Sequence, residues 1–245
     1  MIAVVTSSKG GAGKSTVSAG LACALAREGQ RVLVIDADAG LRSLDLMLGI
    51  EERAVYDLSD IFARRCEPIR AITPSSVADG VFVIPAPGTL EEKCTPEEMQ
   101  YLCRGLASHY DTVLIDCPAG IGRGFRVATA PADRAIIVAT PDMVCARDAQ
   151  IVSGHLDAAG ISCKMVINRL RPRPVMKGKM PDIDEVMDAA QVPLLGVIPE
   201  DEAVSIANAN GKPLPLSSFT SRCFSNIAAR FMGRSVRLAN LAKMK

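Results

Sequence analysis

Residues 9–16 read Lys-Gly-Gly-Ala-Gly-Lys-Ser-Thr, a combination whose chemistry is the holding of phosphate. Gly10, Gly11 and Gly13, set around Ala12, allow successive backbone N–H groups to curl about one anion. A helix beginning near Lys14 would aim its positive end at the same anion. Lys14 can then reach β- and γ-phosphates, Ser15 can ligate Mg²⁺, and Thr16 completes the run. The strict phosphate-loop pattern asks for glycine where this chain has Ser8, so the motif departs from it at the first position. Lys9, five residues before Lys14, is a second lysine that an ordinary loop of this kind does not need.

Acids end two apolar runs. Asp36 closes RVLVID (31–36) with Asp38 just beyond it, and Asp116 sits at the end of TVLIDC (112–117). A carboxylate at a strand end lies where open parallel sheets bind ligands. It can orient a water for in-line attack on a terminal phosphate, or bond Mg²⁺ through its waters. Asp-x-Asp in a loop is common by itself; beside a phosphate loop it gains a chemical meaning. Asp116 takes the metal side in this reading, with Ser15.

These residues need a frame. Apolar runs without alternation occur at 2–7, 31–36, 81–86, 112–117, 134–140, 163–168 and 194–199, as expected of strands buried on both faces. Helical patterns over 15–28, 96–108, 144–159 and 182–190 fall between several of them. The alternation predicts a single-domain α/β phosphate-loop NTPase, with a mainly parallel sheet of about seven to eight strands and helices on both faces. Segment 169–181, with three prolines and five basic residues, reads as a loop. Phe219, Cys223, Ile227 and Phe231 recur every four residues and predict a last docking helix. The domain is expected over 1–232, followed by a basic tail over 233–245.

The chain has 245 residues, 49% apolar and 22% charged, which excludes a disordered or fibrous protein. No apolar stretch reaches the length of a membrane span, and the N-terminus has no signal-like block, so a cytoplasmic protein is expected. None of the eight cysteines forms a C-x-x-C pair, which leaves them as small buried hydrophobes. The net charge of +1 is unevenly spread: Glu202 is the last acid, and seven Lys or Arg follow it. A basic C-terminus on an acidic body suits an anionic surface, membrane or nucleic acid, or is simply a solvated face. Beyond Phe231 the apolar candidates are Val236, Leu238, Leu241 and Met244; Arg230, Arg234 and Arg237 fall in the same helical arc as Leu238 and Leu241, so no clean polar face emerges.

The loop with its leading Lys9 resembles the deviant Walker A loop of the MinD/ParA family of ATPases. Asp36-x-Asp38-x-Gly40-Leu41-Arg42-x-Leu44-Asp45 resembles the MinD branch in particular, as do Pro118-Ala119-Gly120-Ile121, segment 141–154, VINR (166–169) and GVIPED (196–201). The resemblance covers about residues 1–230. It implies binding of ATP with Mg²⁺ and slow, partner-stimulated hydrolysis. Lys9 would reach the partner's phosphates across an ATP-bridged homodimer, and Asp38 would take the hydrolytic position. Asn168 would contact adenine and Pro199 would flank the ring; the guanine-reading N-K-x-D is absent. The family's switch II commonly continues with an acid where this chain has Gly122. The implied role is placement of the cell-division site, with a division-inhibitor or topological-factor protein as partner. The implied location is the cytoplasm and, through the basic tail, the inner face of an anionic membrane. A flagellar-placement or chromosome-partition ATPase of the same superfamily is the alternative, DNA being the less favoured surface. Cluster-assembly relatives need paired cysteines, and a degenerate binding module would not keep Lys9, Lys14, Ser15, Asp38 and Asp116.

Overall fold

The computed structural model describes residues 1–39, 42–88 and 94–240. Gly40 and Leu41 of the Asp-x-Asp motif, and Leu241 and Met244 of the tail, lie outside the described residues. Among the described residues eight strands are present: β1 Ile2–Thr6, β2 Val32–Asp36, β3 Thr73–Pro74, β4 Val81–Ile84, β5 Thr112–Asp116, β6 Arg134–Ala139, β7 Ser162–Leu170 and β8 Leu194–Pro199. The helices among the described residues are α1 Lys14–Arg27, α2 Ser43–Met47, α3 Leu58–Phe62, α4 Pro68–Ala71, α5 Pro96–Leu106, α6 Arg123–Thr129, α7 Met143–Ala158, α8 Pro172–Met176, α9 Ile183–Ala190, α10 Glu202–Ala209 and α11 Phe219–Phe231.

The strands form one sheet in the order β3-β4-β2-β5-β1-β6-β7-β8. Every pairing is parallel except β3 with β4. All seven expected strands are found. The eighth, β3, is a two-residue antiparallel edge that no apolar run announces. Alternate strand residues feed two cores. Ile2 and Val4 of β1 join Met99, Phe125 and Val186 on one face; Ala3 and Val5 join Leu21, Leu25, Phe224 and Ile227 on the other. A strand buried on both faces must be apolar at every position, which is why these runs show no alternation.

Segment 169–181 is not the loop its composition suggested. Strand β7 runs on to Leu170, and Pro172 starts the short helix α8. Proline at a helix start loses nothing, because its missing N–H would have had no partner in the helix. The docking helix predicted from 219–231 is present, with Cys223, Ile227 and Phe231 buried. Residues 234–240 have no regular structure.

Candidate functional site

The glycine run joins β1, at the middle of the sheet, to α1. β1 lies between β5 and β6. From it the chain crosses to β2 on one side, while β6 and β7 extend the other. Open parallel sheets bind ligands at such a switch point, beyond the strands' carboxyl ends. Gly11 and Gly13 have φ of +80° and +94°, left-handed values that L side chains rarely adopt. A Cβ on Gly13 would also collide with Asn168 Nδ2. Helix α1 begins at Lys14 with no side-chain cap and no acid in its first turn. Its orphan N–H groups are thus left for an external anion.

The expected side chains converge here. Ser15 Oγ donates to Asp116 Oδ2 at 2.7 Å. Ser18 Oγ, one turn further along α1, donates to Asp116 Oδ1 at 2.8 Å. Lys14 is buried, and its Nζ lies 3.7 Å from Asp38 Oδ2. The backbone N–H of Asp38 donates to Asp36 Oδ1 at 3.0 Å. Asp36 and Asp116 stand opposite each other in the β2–β5 register. Burial pushes the Asp36 carboxyl up, and the Asp116 carboxyl beside it adds to the effect. Burial also raises Asp116, against the pull of the Ser15 and Ser18 hydrogen bonds and of Lys14.

Asn168, expected at the base, is buried, and its Nδ2 donates to the loop carbonyl of Ala12 at 2.9 Å. Pro199 ends β8 in register with Leu170, two residues beyond Asn168. Lys9 turns the other way: its Nζ pairs with Asp148 Oδ2 of α7 at 3.1 Å. Gly10 and Thr16 take their places in the loop and the first turn of α1.

The residues present fit a magnesium nucleotide. A half-buried hydroxyl on a buried carboxylate, Ser15 with Asp116, is the donor set of a metal held through one hydroxyl and waters. Ser8 Oγ is shielded from solvent without a hydrogen-bond partner, an orphan donor at the mouth of the loop. Two residues escaped the sequence reading. Ser18 had a signal, three positions after Ser15 on one helix face. Asn208, whose Nδ2 donates to Thr16 Oγ1 at 3.2 Å, had none, since it is 192 residues away in sequence.

Comparison with known proteins agrees with this geometry. The CobQ/CobB/MinD/ParA nucleotide binding domain matches residues 3–214. The chain is 42% identical over 240 residues to a septum site-determining protein MinD of Synechocystis, covering 96% of this chain and 90% of that one. Among solved structures it superposes on a chain of the MinC:MinD cell division protein complex of Aquifex aeolicus, with a TM-score of 0.90, 34% identity and 98% of each chain covered. It is also similar to MinD of Pyrococcus horikoshii complexed with Mg-ADP, with a TM-score of 0.84 at 29% identity over 94% of this chain and 95% of that one.

Proposed function

The chain belongs to the MinD proteins within the CobQ/CobB/MinD/ParA nucleotide-binding family, and from that premise we propose that it is a nucleotide-gated ATPase that places the cell-division site. One observation carries the reading: Lys14, Ser15, Asp116 and Asp38 are gathered beside an uncapped helix start at the centre of a parallel sheet. The loop amides and Lys14 bind the phosphates of ATP. Ser15 and, through water, Asp116 would hold Mg²⁺, which would offset negative charge on the phosphates. Asp38 orients the attacking water. Its present partner, Lys14, is the group that a γ-phosphate would engage, so nucleotide binding frees the Asp38 carboxylate for water. Asn168 and Pro199 border the adenine.

Two protomers close face to face on ATP, each giving Lys9 to the other's phosphates. In the single chain Lys9 rests on Asp148, and dimer formation exchanges that ion pair for a phosphate contact. The dimer gathers two basic tails onto an anionic membrane and recruits a division inhibitor; the Aquifex aeolicus relative is solved in a MinC:MinD cell division protein complex. Hydrolysis separates the protomers and releases them. Sedimentation velocity with ATP and with ADP tests this. Wild type should dimerise with ATP alone, Asp38→Ala should stay dimeric without turnover, and Lys9→Ala should stay monomeric while binding nucleotide. Equal mass distributions of wild type in ATP and ADP would overturn the reading.

A further inference from the structure

Thr16 in the first turn of α1 meets the last turn of α10, where Asn208 Nδ2 donates to its Oγ1 at 3.2 Å. We propose that Asn208 is a positioning residue that turns the Thr16 hydroxyl proton toward the bound phosphates, so that it acts on nucleotide affinity through Thr16 alone. The inference rests on the phosphate-binding reading above.

A hydroxyl has one proton and two lone pairs. An amide N–H that fills one lone pair forces the proton to point away from the amide. A helical threonine otherwise tends to donate back to the carbonyl four residues earlier. For Thr16 that carbonyl belongs to Ala12, and Asn168 Nδ2 already donates to it at 2.9 Å. One asparagine therefore competes for the self-bonding acceptor while the other sets the rotor. The stronger acceptor for the Thr16 proton is then the charged anion at the helix start, beside Lys14 and Ser15.

Asn208 is itself held. Asp201 caps α10 by accepting from the Ala203 N–H at 2.9 Å, and Thr220 of α11 donates to the same carboxylate. Just past the helix, Gly211 has φ of +56°, and a Cβ there would lie 2.8 Å from Leu46 O of α2. The chain leaving α10 is thus packed closely on α2, which fixes the end of the helix that carries Asn208.

A double-mutant cycle tests the assignment, with ATP affinity measured by calorimetry and folding checked by thermal melting. Asn208→Ala should weaken ATP binding about two- to tenfold, the range of one neutral hydrogen bond, and Thr16→Ala, which loses a bond to a charged phosphate, about tenfold or more. The double variant should be no weaker than Thr16→Ala, because Asn208 has nothing to act on once the hydroxyl is gone. Asn208→Asp keeps the side-chain shape but accepts instead of donating. It should draw the Thr16 proton to itself and weaken binding at least as much as Thr16→Ala. Wild-type affinity in either Asn208 variant, or an equal loss from Asn208→Ala with and without Thr16, overturns the inference. Wild-type affinity in Thr16→Ala would overturn the phosphate role of Thr16 as well. Loss in Thr16→Ala with none in Asn208→Ala overturns the inference alone.

Discussion

Burial, more than any neighbour, sets the charge of Asp36. Its carboxyl lies at the end of a strand covered on both faces and opposite a second acid, so its protonated form is favoured. The consequence for stability has a definite sign. A carboxyl raised above its ordinary value of 3.8 binds its proton more tightly in the folded chain than in the unfolded one. Its contribution is complete below that ordinary value and is lost as pH rises through the folded-state value. The nucleotide-free protein should therefore lose stability as the medium goes from mildly acidic to mildly alkaline. Asparagine has the shape of the protonated acid, and its Oδ1 can still accept from the Asp38 N–H. Asp36→Asn should hence flatten that pH slope and melt no lower than wild type at pH 8. Melting curves across pH check this, and an unchanged slope in the variant would remove Asp36 as its source.

Helix packing draws on glycine in two opposite ways. Gly20 in α1 faces the fully buried ring of Phe224 in α11, and a Cβ there would overlap it. Gly105 in α5 is exposed, with nothing within 4 Å of a built Cβ. Alanine is favoured over glycine in a helix by about 1 kcal/mol. At position 105 that preference acts alone, so Gly105→Ala should raise stability by about 0.5–1 kcal/mol. At position 20 overpacking costs about 1–3 kcal/mol and outweighs it. Gly20→Ala should be destabilised by up to about 2 kcal/mol, or several degrees of melting temperature. A Gly20→Ala protein as stable as wild type would show that Phe224 can give way. What the chain discloses in sequence follows the same local-versus-distant division. β1, β2, β5 and the loop between β1 and α1 are contiguous patterns, and they hold most of the phosphate site. The edge strand Thr73–Pro74 is too short for any period and carries a proline, which a sheet accepts at its edge. α8 was hidden by basic residues and prolines, although Pro172 at its start is a helix signal. The contacts of Asn208 with Thr16 and of Lys9 with Asp148 join distant segments, and no local pattern records them.

At the scale of the whole molecule, the tail and the order of the sheet matter most. Arg234 pairs with Glu28 at the end of α1 at 2.6 Å, and Asn226 Nδ2 donates to Arg237 O at 3.2 Å. Both partners of the ion pair are partly exposed, and such pairs contribute at most about 1 kcal/mol. The tail therefore rests on the body without being fixed there. Among the described residues no helix is long and apolar enough to cross a membrane. Two linked tails turn the second contact into an intramolecular one, which multiplies affinity by about 10²–10⁴ where geometry permits. A chain truncated after Met232 should keep ATP-dependent dimerisation but lose sedimentation with anionic vesicles. The intact chain's binding should weaken as salt rises. Undiminished vesicle binding by the truncated chain would make 233–245 a packing segment only. The central place of β1 has a further cost, paid during synthesis. It leaves the ribosome before the other strands of its sheet, yet its neighbours are β5 and β6, which end at Asp116 and Ala139. At about 5–20 residues per second, Ile2–Thr6 waits roughly 7–26 seconds before β6 is made. Until β5 is made, about 6–22 seconds at that rate, a strand apolar but for Thr6 has neither partner, which makes the nascent chain a client for any factor that shields β-prone segments.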